Sequence, residues 1–348
     1  MKVIVNTNVP YTVTVESGVI DQVGKIVAFV KKPGRKVMLI SDSNVMPIYG
    51  GRVINSLVNA GFAVSRFVFP AGEEHKLMST VEDMYKALSQ AGFTPTDLIV
   101  ALGGGVTGDM AGFAAATFLR GISFIGVPTS LVAQADASLG GKTGVDLPFG
   151  KNLVGAFHQP VAVISDPDVL STLPRQFIND GLGEVIKHGA IDDKELFEAL
   201  RRGEGLSDLK RMVVRSVQIK RDYIEADTFD TGRRMILNFG HTFGHALEKL
   251  HGFSGISHGE AVGIGMVLAC KVGEKLGVTM PGTAELISEV LKSYDMPTAP
   301  DFSTQEIVQA TALDKKSDGE KLNFILIKDI GSSLIYPLSR ADLLEALS

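Results

Sequence analysis

Leu98-Ile-Val-Ala-Leu-Gly-Gly-Gly-Val-Thr-Gly-Asp109 is the stretch whose reading decides the fold. Its first five residues are an unbroken apolar run. A run so short and so apolar reads as a strand buried on both faces, the kind a parallel sheet uses. Gly103, Gly104 and Gly105 then let the backbone turn closely, and the residues beyond them read as an apolar helix. Strand, glycine turn and helix N-terminus together form a cradle for a pyrophosphate, because free N–H groups and the positive end of the helix dipole meet there. The spacing is a variant of the dinucleotide fingerprint and not G-x-G-x-x-G itself; an ordinary tight turn would use the same glycines.

The alternation extends outward from this point. Residues 36–40, 64–69 and 122–127 read as further strands, and 52–60 and 77–90 as helices, which implies βαβ units. Asp42 closes the 36–40 strand, where an acidic residue can bind a ribose hydroxyl or cap a turn. Residues 3–5 and 12–15 flank Asn8, Val9 and Pro10 as a small hairpin. After about residue 166 helical spacing dominates, at 194–200, 209–225, 242–250, 261–276 and 284–293. The expected fold is an α/β N-terminal domain with a parallel Rossmann-like sheet, 1–170, and a mostly α-helical C-terminal domain, 171–348. The active site is expected in the cleft between them.

Composition narrows the function. The 348 residues are 45% apolar and 21% charged, an ordinary globular balance with no sign of disorder. A net charge of −5 argues against a nucleic-acid partner. The longest apolar stretch, 261–270, is half a bilayer span and reads as a core helix. No secretory h-region follows Lys2 and Cys270 is the single cysteine, so a reducing, cytoplasmic home is expected. Any metal must be held by His, Asp or Glu.

Two further groups of residues carry chemistry. His241 and His245 lie four apart, on one face if helical, and His258 follows in Ser257-His-Gly-Glu260. Glu184 sits in Gly183-Glu-Val-Ile-Lys-His188, which reads as an internal helix. Two histidines and a carboxylate make a catalytic zinc set with one open position. The same residues could cap helices or sit satisfied in a core, and spacing does not decide which histidine binds and which moves protons. The second group is cationic: Arg120, Lys142, Lys151, Lys187, Lys220 and Arg234, all among apolar or glycine-rich neighbours. Cations there point to an anionic ligand, most simply a phosphate.

These motifs, taken in order, resemble the 3-dehydroquinate synthase family, sugar-phosphate cyclases of the shikimate pathway. The resemblance runs from about residue 37 to 339. It is carried by Gly104-Gly-Val-Thr-Gly-Asp109, Gly150-Lys-Asn-Leu-Val-Gly-Ala-Phe-His-Gln-Pro160, Glu184-Val-Ile-Lys187, Leu237-Asn-Phe-Gly-His-Thr-Phe-Gly-His245 and Ser257-His-Gly-Glu-Ala-Val262. It implies bound NAD and one zinc or cobalt ion. It implies conversion of 3-deoxy-D-arabino-heptulosonate 7-phosphate to 3-dehydroquinate and phosphate. NAD oxidises the C5 alcohol, phosphate is eliminated, the hydride returns, the ring opens, and an aldol step closes the carbocycle.

By the same resemblance, Glu184, His241 and His258 are the metal ligands, and His245 is the non-ligand histidine for proton transfer. Lys142, Asn152, Lys187, Lys220, Arg234 and Asn238 contact the substrate. Arg120 reaches the phosphate of a neighbouring subunit, which implies a homodimer. Lys315 or Lys316 adds a phosphate contact. The NAD side uses Asp42, Glu73, Lys76, Gly104, Gly105, Val106, Thr107, Gly108, Asp109, Thr129, Ser130, Lys142, Lys151 and Thr172.

Two places depart from the family pattern. Ala71 stands where the family often has Asp, and Asp227-Thr-Phe-Asp230 replaces a more acidic run. The rival readings are a sister sugar-phosphate cyclase, a metal-dependent polyol dehydrogenase, which would need no phosphate-binding cations, and a non-catalytic binding descendant.

Overall fold

The computed structural model describes residues 1–253, 255–311, 317–318 and 321–347. The chain divides into two compact units, Met1–Leu173 and Pro174–Ser348. Thr172 therefore belongs to the first unit.

The first unit contains nine strands: β1 (Lys2–Val5), β2 (Tyr11–Val15), β3 (Lys36–Asp42), β4 (Ala63–Phe69), β5 (Leu98–Gly103), β6 (Ser123–Pro128), β7 (Lys142–Leu147), β8 (Gly150–Phe157) and β9 (Ala162–Ser165). Its α-helices are α1 (Val23–Val30), α2 (Gly51–Asn59), α3 (Met78–Gln90) and α4 (Gly105–Thr117). Seven strands form one sheet in the order β1-β2-β9-β6-β5-β3-β4, parallel except for the β1–β2 hairpin.

Alternate residues of β3 and β5 face opposite sides, yet both sides are buried. Val37, Leu39 and Val100 join one core with residues of α1 and α2, while Met38, Ile40 and Ile99 join the other with residues of α3 and α4. This double burial is why β5 reads as a continuous apolar run. The chain winds from β3 outward to β4, then returns to β5 on the other side of β3. The carboxyl ends of β3 and β5 thus form a topological switch point, the usual place for a ligand in an open α/β sheet.

β7 and β8 form a separate antiparallel ribbon. Lys142 and Lys151 therefore lie in strands. Two glycines of this ribbon are a cross-strand pair, Gly144 opposite Gly155. A Cβ on Gly155 would stand 2.1 Å from the Thr143 carbonyl oxygen, so the two backbones touch where side chains would normally separate them.

The second unit holds α5 (Arg175–Asp192), α6 (Lys194–Arg201), α7 (Leu209–Ala226), α8 (His241–Leu250), α9 (His258–Lys275), α10 (Thr283–Ser293), α11 (Thr304–Ala310) and α12 (Arg340–Leu347). It also holds an antiparallel sheet of β10 (Ser317–Asp318), β11 (Lys321–Asp329) and β12 (Ser332–Ser339), which the helical texture of the sequence hid. Helix α9 is buried along most of its length and starts with a capping box, Ser257 with Glu260. Among the described residues no helix is long and apolar enough to cross a membrane.

Candidate active site

Three helices of the second unit are brought together by missing side chains. A Cβ on Gly183 of α5 would lie 2.6 Å from the Gly259 carbonyl oxygen at the start of α9. A Cβ on Gly265 of α9 would lie 2.0 Å from the carbonyl oxygen of Gly240, the residue that begins α8 with a left-handed φ of 79°. Only glycine permits these backbone approaches. They carry Glu184, the neighbour of Gly183, up to His258, the neighbour of Gly259, and set His241 beside both.

The geometry is convergent. His258 Nε2 is 3.2 Å and His241 Nε2 3.5 Å from the same Glu184 oxygen, Oε1. One ligand atom from each residue lies within 4.8 Å of the others. The other ring nitrogens are engaged elsewhere. His241 Nδ1 is 3.2 Å from the Phe239 carbonyl, which can only accept, so the proton sits on Nδ1. His258 Nδ1 is 3.5 Å from the Glu248 carboxylate. Burial and the Lys187 charge hold the His241 imidazole neutral, well below its ordinary pKa. Burial also opposes charge on His258, but hydrogen bonds to Glu184 and Glu248 outweigh it and raise its pKa to about 10.

Glu184 is 1% exposed, and its second oxygen is paired with Lys187, also 1% exposed. A buried carboxylate facing two imidazole nitrogens, with a lysine on its far oxygen, is a donor set that fits a divalent cation. His245 stands one turn along α8, its ring centroid 5.4 Å from that of His241, edge-on and solvent-exposed. It joins the cluster from the accessible side.

Other cations of the second unit are buried as well. Lys220 on α7 is 6% and Arg234 2% exposed. Arg234 donates to the Thr228 carbonyl at 2.8 Å, and its backbone N–H donates to Asp227. Asp227 also accepts from the Thr231 and Gly232 N–H groups; these bonds outweigh the opposing effect of burial and hold its carboxyl below the usual range. In this chain's altered acidic run, Asp227 therefore shapes the turn that leads to Arg234, while Asp230 takes a left-handed φ of 58°. Asn238, half-buried, ends the short helical turn Arg233–Asn238 that delivers the chain to α8.

The first unit presents the nucleotide-type residues at its switch point. Asp42 accepts from the Asn44 and Val45 N–H groups through one oxygen and from Thr107 Oγ1 at 3.2 Å through the other. Gly104 precedes α4, so Gly105, Val106, Thr107 and Gly108 form its first turn with N–H groups at the loop mouth. A Cβ on Gly103 would strike the Thr107 hydroxyl at 2.3 Å. The loop borders a cavity also lined by Asp109, Ala137, Ser138 and Lys142. The Thr129 N–H donates to the Gly103 carbonyl, and Ser130 Oγ accepts from Ala133. Thr172 Oγ1 meets Tyr49 Oη at 2.7 Å. Ala71 donates its N–H to Ser43 Oγ, a bond that needs no side chain at position 71.

Lys76 is the hub between loop and ribbon. Its Nζ lies 2.8 Å from Asp109, 2.7 Å from Asn152 Oδ1 and 3.7 Å from Glu73. Burial alone would lower the Lys76 pKa, but Asp109 and Glu73 reverse the shift, while burial raises that of Glu73. Asn152 holds a left-handed φ of 53° and donates its N–H to Asp146. Lys142 is exposed and Lys151 half-buried. Arg120 is exposed in a turn where it and Leu119 both take left-handed φ values, 65° and 51°. Lys315 and Lys316 lie outside the described residues.

Two acidic residues at the metal-type cluster escaped sequence reasoning. Glu248 faces His258, and Asp180 accepts the Gly259 N–H at 2.9 Å while burial raises its pKa. Neither carried a signal in the sequence: a glutamate beside the apolar stripe of an amphipathic helix ordinarily marks its solvent side, and Asp180 stands outside every motif.

Comparison with known proteins decides the family. The description 3-dehydroquinate synthase N-terminal matches residues 66–180, and 3-dehydroquinate synthase C-terminal matches 181–317. The chain belongs to the 3-dehydroquinate synthase family. A 3-dehydroquinate synthase from Clostridium acetobutylicum is 45% identical over 330 residues, covering 93% of this chain and 92% of that protein. Two solved structures share the fold at 25% identity. One is a 2-deoxy-scyllo-inosose synthase with carbaglucose-6-phosphate, NAD+ and Co2+, with a TM-score of 0.87 over 100% of this chain and 99% of that one. The other is a 2-epi-5-epi-valiolone synthase from Streptomyces hygroscopicus with NAD+ and Zn2+, with a TM-score of 0.88 over 100% and 98%.

Proposed function

We propose that the chain converts 3-deoxy-D-arabino-heptulosonate 7-phosphate to 3-dehydroquinate and phosphate, in the cytoplasm and as a homodimer. The observation that carries this reading is the family match across both halves, with 45% identity to a 3-dehydroquinate synthase. The NAD-type residues fall in the first unit and the metal-type residues in the second, as two contributions to one reaction.

NAD would lie on the Gly104–Asp109 loop, with Asp42, Glu73, Lys76, Thr129, Ser130, Lys151 and Thr172 around it, and zinc or cobalt would be held by Glu184, His241 and His258. When bound, these two groups supply a transient hydride acceptor and a Lewis acid for the hydroxyl that becomes a ketone. The chain's own residues supply the rest. Lys187 neutralises Glu184 and leaves an N–H direction for a substrate oxygen. His245, exposed beside the cluster, moves a proton at C5. Lys142, Asn152, Lys220, Arg234 and Asn238 bind carboxylate, hydroxyls and phosphate; the buried cations hold their charge in low dielectric, where it acts strongly on an anion.

Arg120 supports the dimer. It is exposed, and it and Leu119 are two successive non-glycine residues in the left-handed region, a strain that persists where it serves a site.

The test is phosphate release from the heptulosonate phosphate with substoichiometric NAD and added zinc or cobalt. Many phosphates per NAD, with no lasting NADH absorbance, is the expected result. NADH accumulating without phosphate would replace the reading by a polyol dehydrogenase. Turnover of a different sugar phosphate only would make the chain a sister cyclase. Light scattering of the active enzyme should give a dimer, and an active monomer would remove the role of Arg120.

A further inference from the structure

Glu248 is a buried carboxylate that the reaction does not use. It lies on α8, 6% exposed, and is buried like its chain neighbours Ala246 and Leu247. An isolated ionised carboxylate is costly at such a position unless a partner offsets the lost hydration. The partner is His258: Glu248 Oε1 stands 3.5 Å from Nδ1, while Nε2 of the same ring points at Glu184 Oε1, 3.2 Å away. The ring thus bridges two carboxylates, one on each nitrogen. The other acid near the start of α9, Glu260, is occupied by the capping box with Ser257, and Asp180 by the Gly259 N–H.

We propose that Glu248 is the positioning residue of the metal centre, holding the proton of His258 on Nδ1 so that Nε2 is left for the cation. This rests on His258 being a ligand. A carboxylate on the far nitrogen of a metal-bound histidine fixes the ring's orientation and raises its donor strength. His241 obtains the same service from the Phe239 carbonyl, a neutral acceptor. The two histidines therefore differ: one ligand is steadied by backbone, the other by a full negative charge, and the charged partner should matter more to affinity.

The experiment measures zinc affinity of the metal-stripped full chain by competition with a chromophoric chelator, alongside the visible spectrum of the Co2+-loaded protein. Four proteins are compared: wild type, Glu248→Gln, Glu248→Leu and His258→Ala. Gln keeps an acceptor for Nδ1–H without the charge. Zinc binding is expected to weaken about 10-fold in Glu248→Gln and about 100-fold in Glu248→Leu. The Co2+ band should shift in both, with NAD affinity unchanged in all. Unchanged zinc affinity and spectrum in both Glu248 variants, with His258→Ala losing zinc, would overturn the role of Glu248 and leave the ligand reading standing. Full zinc affinity in His258→Ala would overturn the ligand reading and the proposal with it. Weakening of zinc and NAD together in Glu248→Leu, with Glu248→Gln like wild type, would assign Glu248 to packing and overturn the proposal.

Discussion

The metal-type cluster of the second unit and the nucleotide-type loop of the first are built in opposite ways. The cluster is made of charged side chains withdrawn from water: Glu184 and Lys187 are each 1% exposed, on a helix that touches α9 through glycine. The loop is made of backbone: its donors are the N–H groups of the first turn of α4, and side chains such as Asp42 and Thr107 mainly hold that turn in shape. Of the cations beside it, Lys142 stays exposed, and only Lys76 is buried, paired with Asp109. A cation that must be gripped and polarised favours buried opposite charge, where electrostatics are strong and mistakes are costly. A cofactor that is bound by its phosphates can be met by dipoles that need no burial.

Single substitutions should separate the two regions by stability as well as by activity. The largest effect is expected for Lys187→Met. It leaves Glu184 buried without its cation, which should cost about 3–5 kcal/mol in denaturant unfolding and abolish turnover. Gly183→Ala comes next, because the new Cβ meets the α9 backbone at 2.6 Å. A loss of about 1–3 kcal/mol is expected with a fall in zinc affinity, while NAD binding, measured by fluorescence titration, is kept.

The pH dependence sharpens the same contrast. With its pKa raised to about 10, His258 is protonated at neutral pH before metal enters, and the ion must displace that proton. Zinc affinity should therefore rise about tenfold per pH unit between 7 and 9, with one proton released, while NAD affinity stays flat. For the metal-free protein the sign is the reverse. A raised histidine contributes stability that is fully present below its unfolded pKa of about 6.5 and is lost as the pH climbs through the folded value. Thermal scans of the stripped protein should thus decline from pH 7 to 10. The smallest effect on stability belongs to Lys142→Ala, under about 0.5 kcal/mol, because the side chain is exposed. Its KM for the sugar phosphate should nonetheless rise about tenfold.

How much of this was legible in the sequence follows from the same physics. The β5 strand and its glycine turn were readable because a doubly buried strand leaves no polar residue to confuse the pattern. Lys187 and Arg234 stood out because cations among apolar neighbours contradict their surroundings. The β7–β8 ribbon was not readable: Gly144 and Gly155 look like loop residues, and only their pairing turns them into strand. In the β11–β12 hairpin, Phe324 to Ile327 are four consecutive buried apolar residues with no period of two to mark a strand, in a half where helical spacing dominates. Glu248 was hidden for a different reason. A glutamate on an amphipathic helix ordinarily marks the solvent face, and only the packing of α9 against α8 turns this one inward. The gathering of Glu184, His241 and His258 depended on Gly183, Gly259, Gly240 and Gly265, residues whose contribution is the side chain they lack.

The most direct test of the account is anomalous diffraction from crystals of the cobalt-loaded protein at the cobalt edge. A single strong peak bonded to Glu184, His241 Nε2 and His258 Nε2, absent from His258→Ala, is the result predicted. A peak elsewhere, or an active enzyme whose Glu184 and His258 bind no metal, would contradict it.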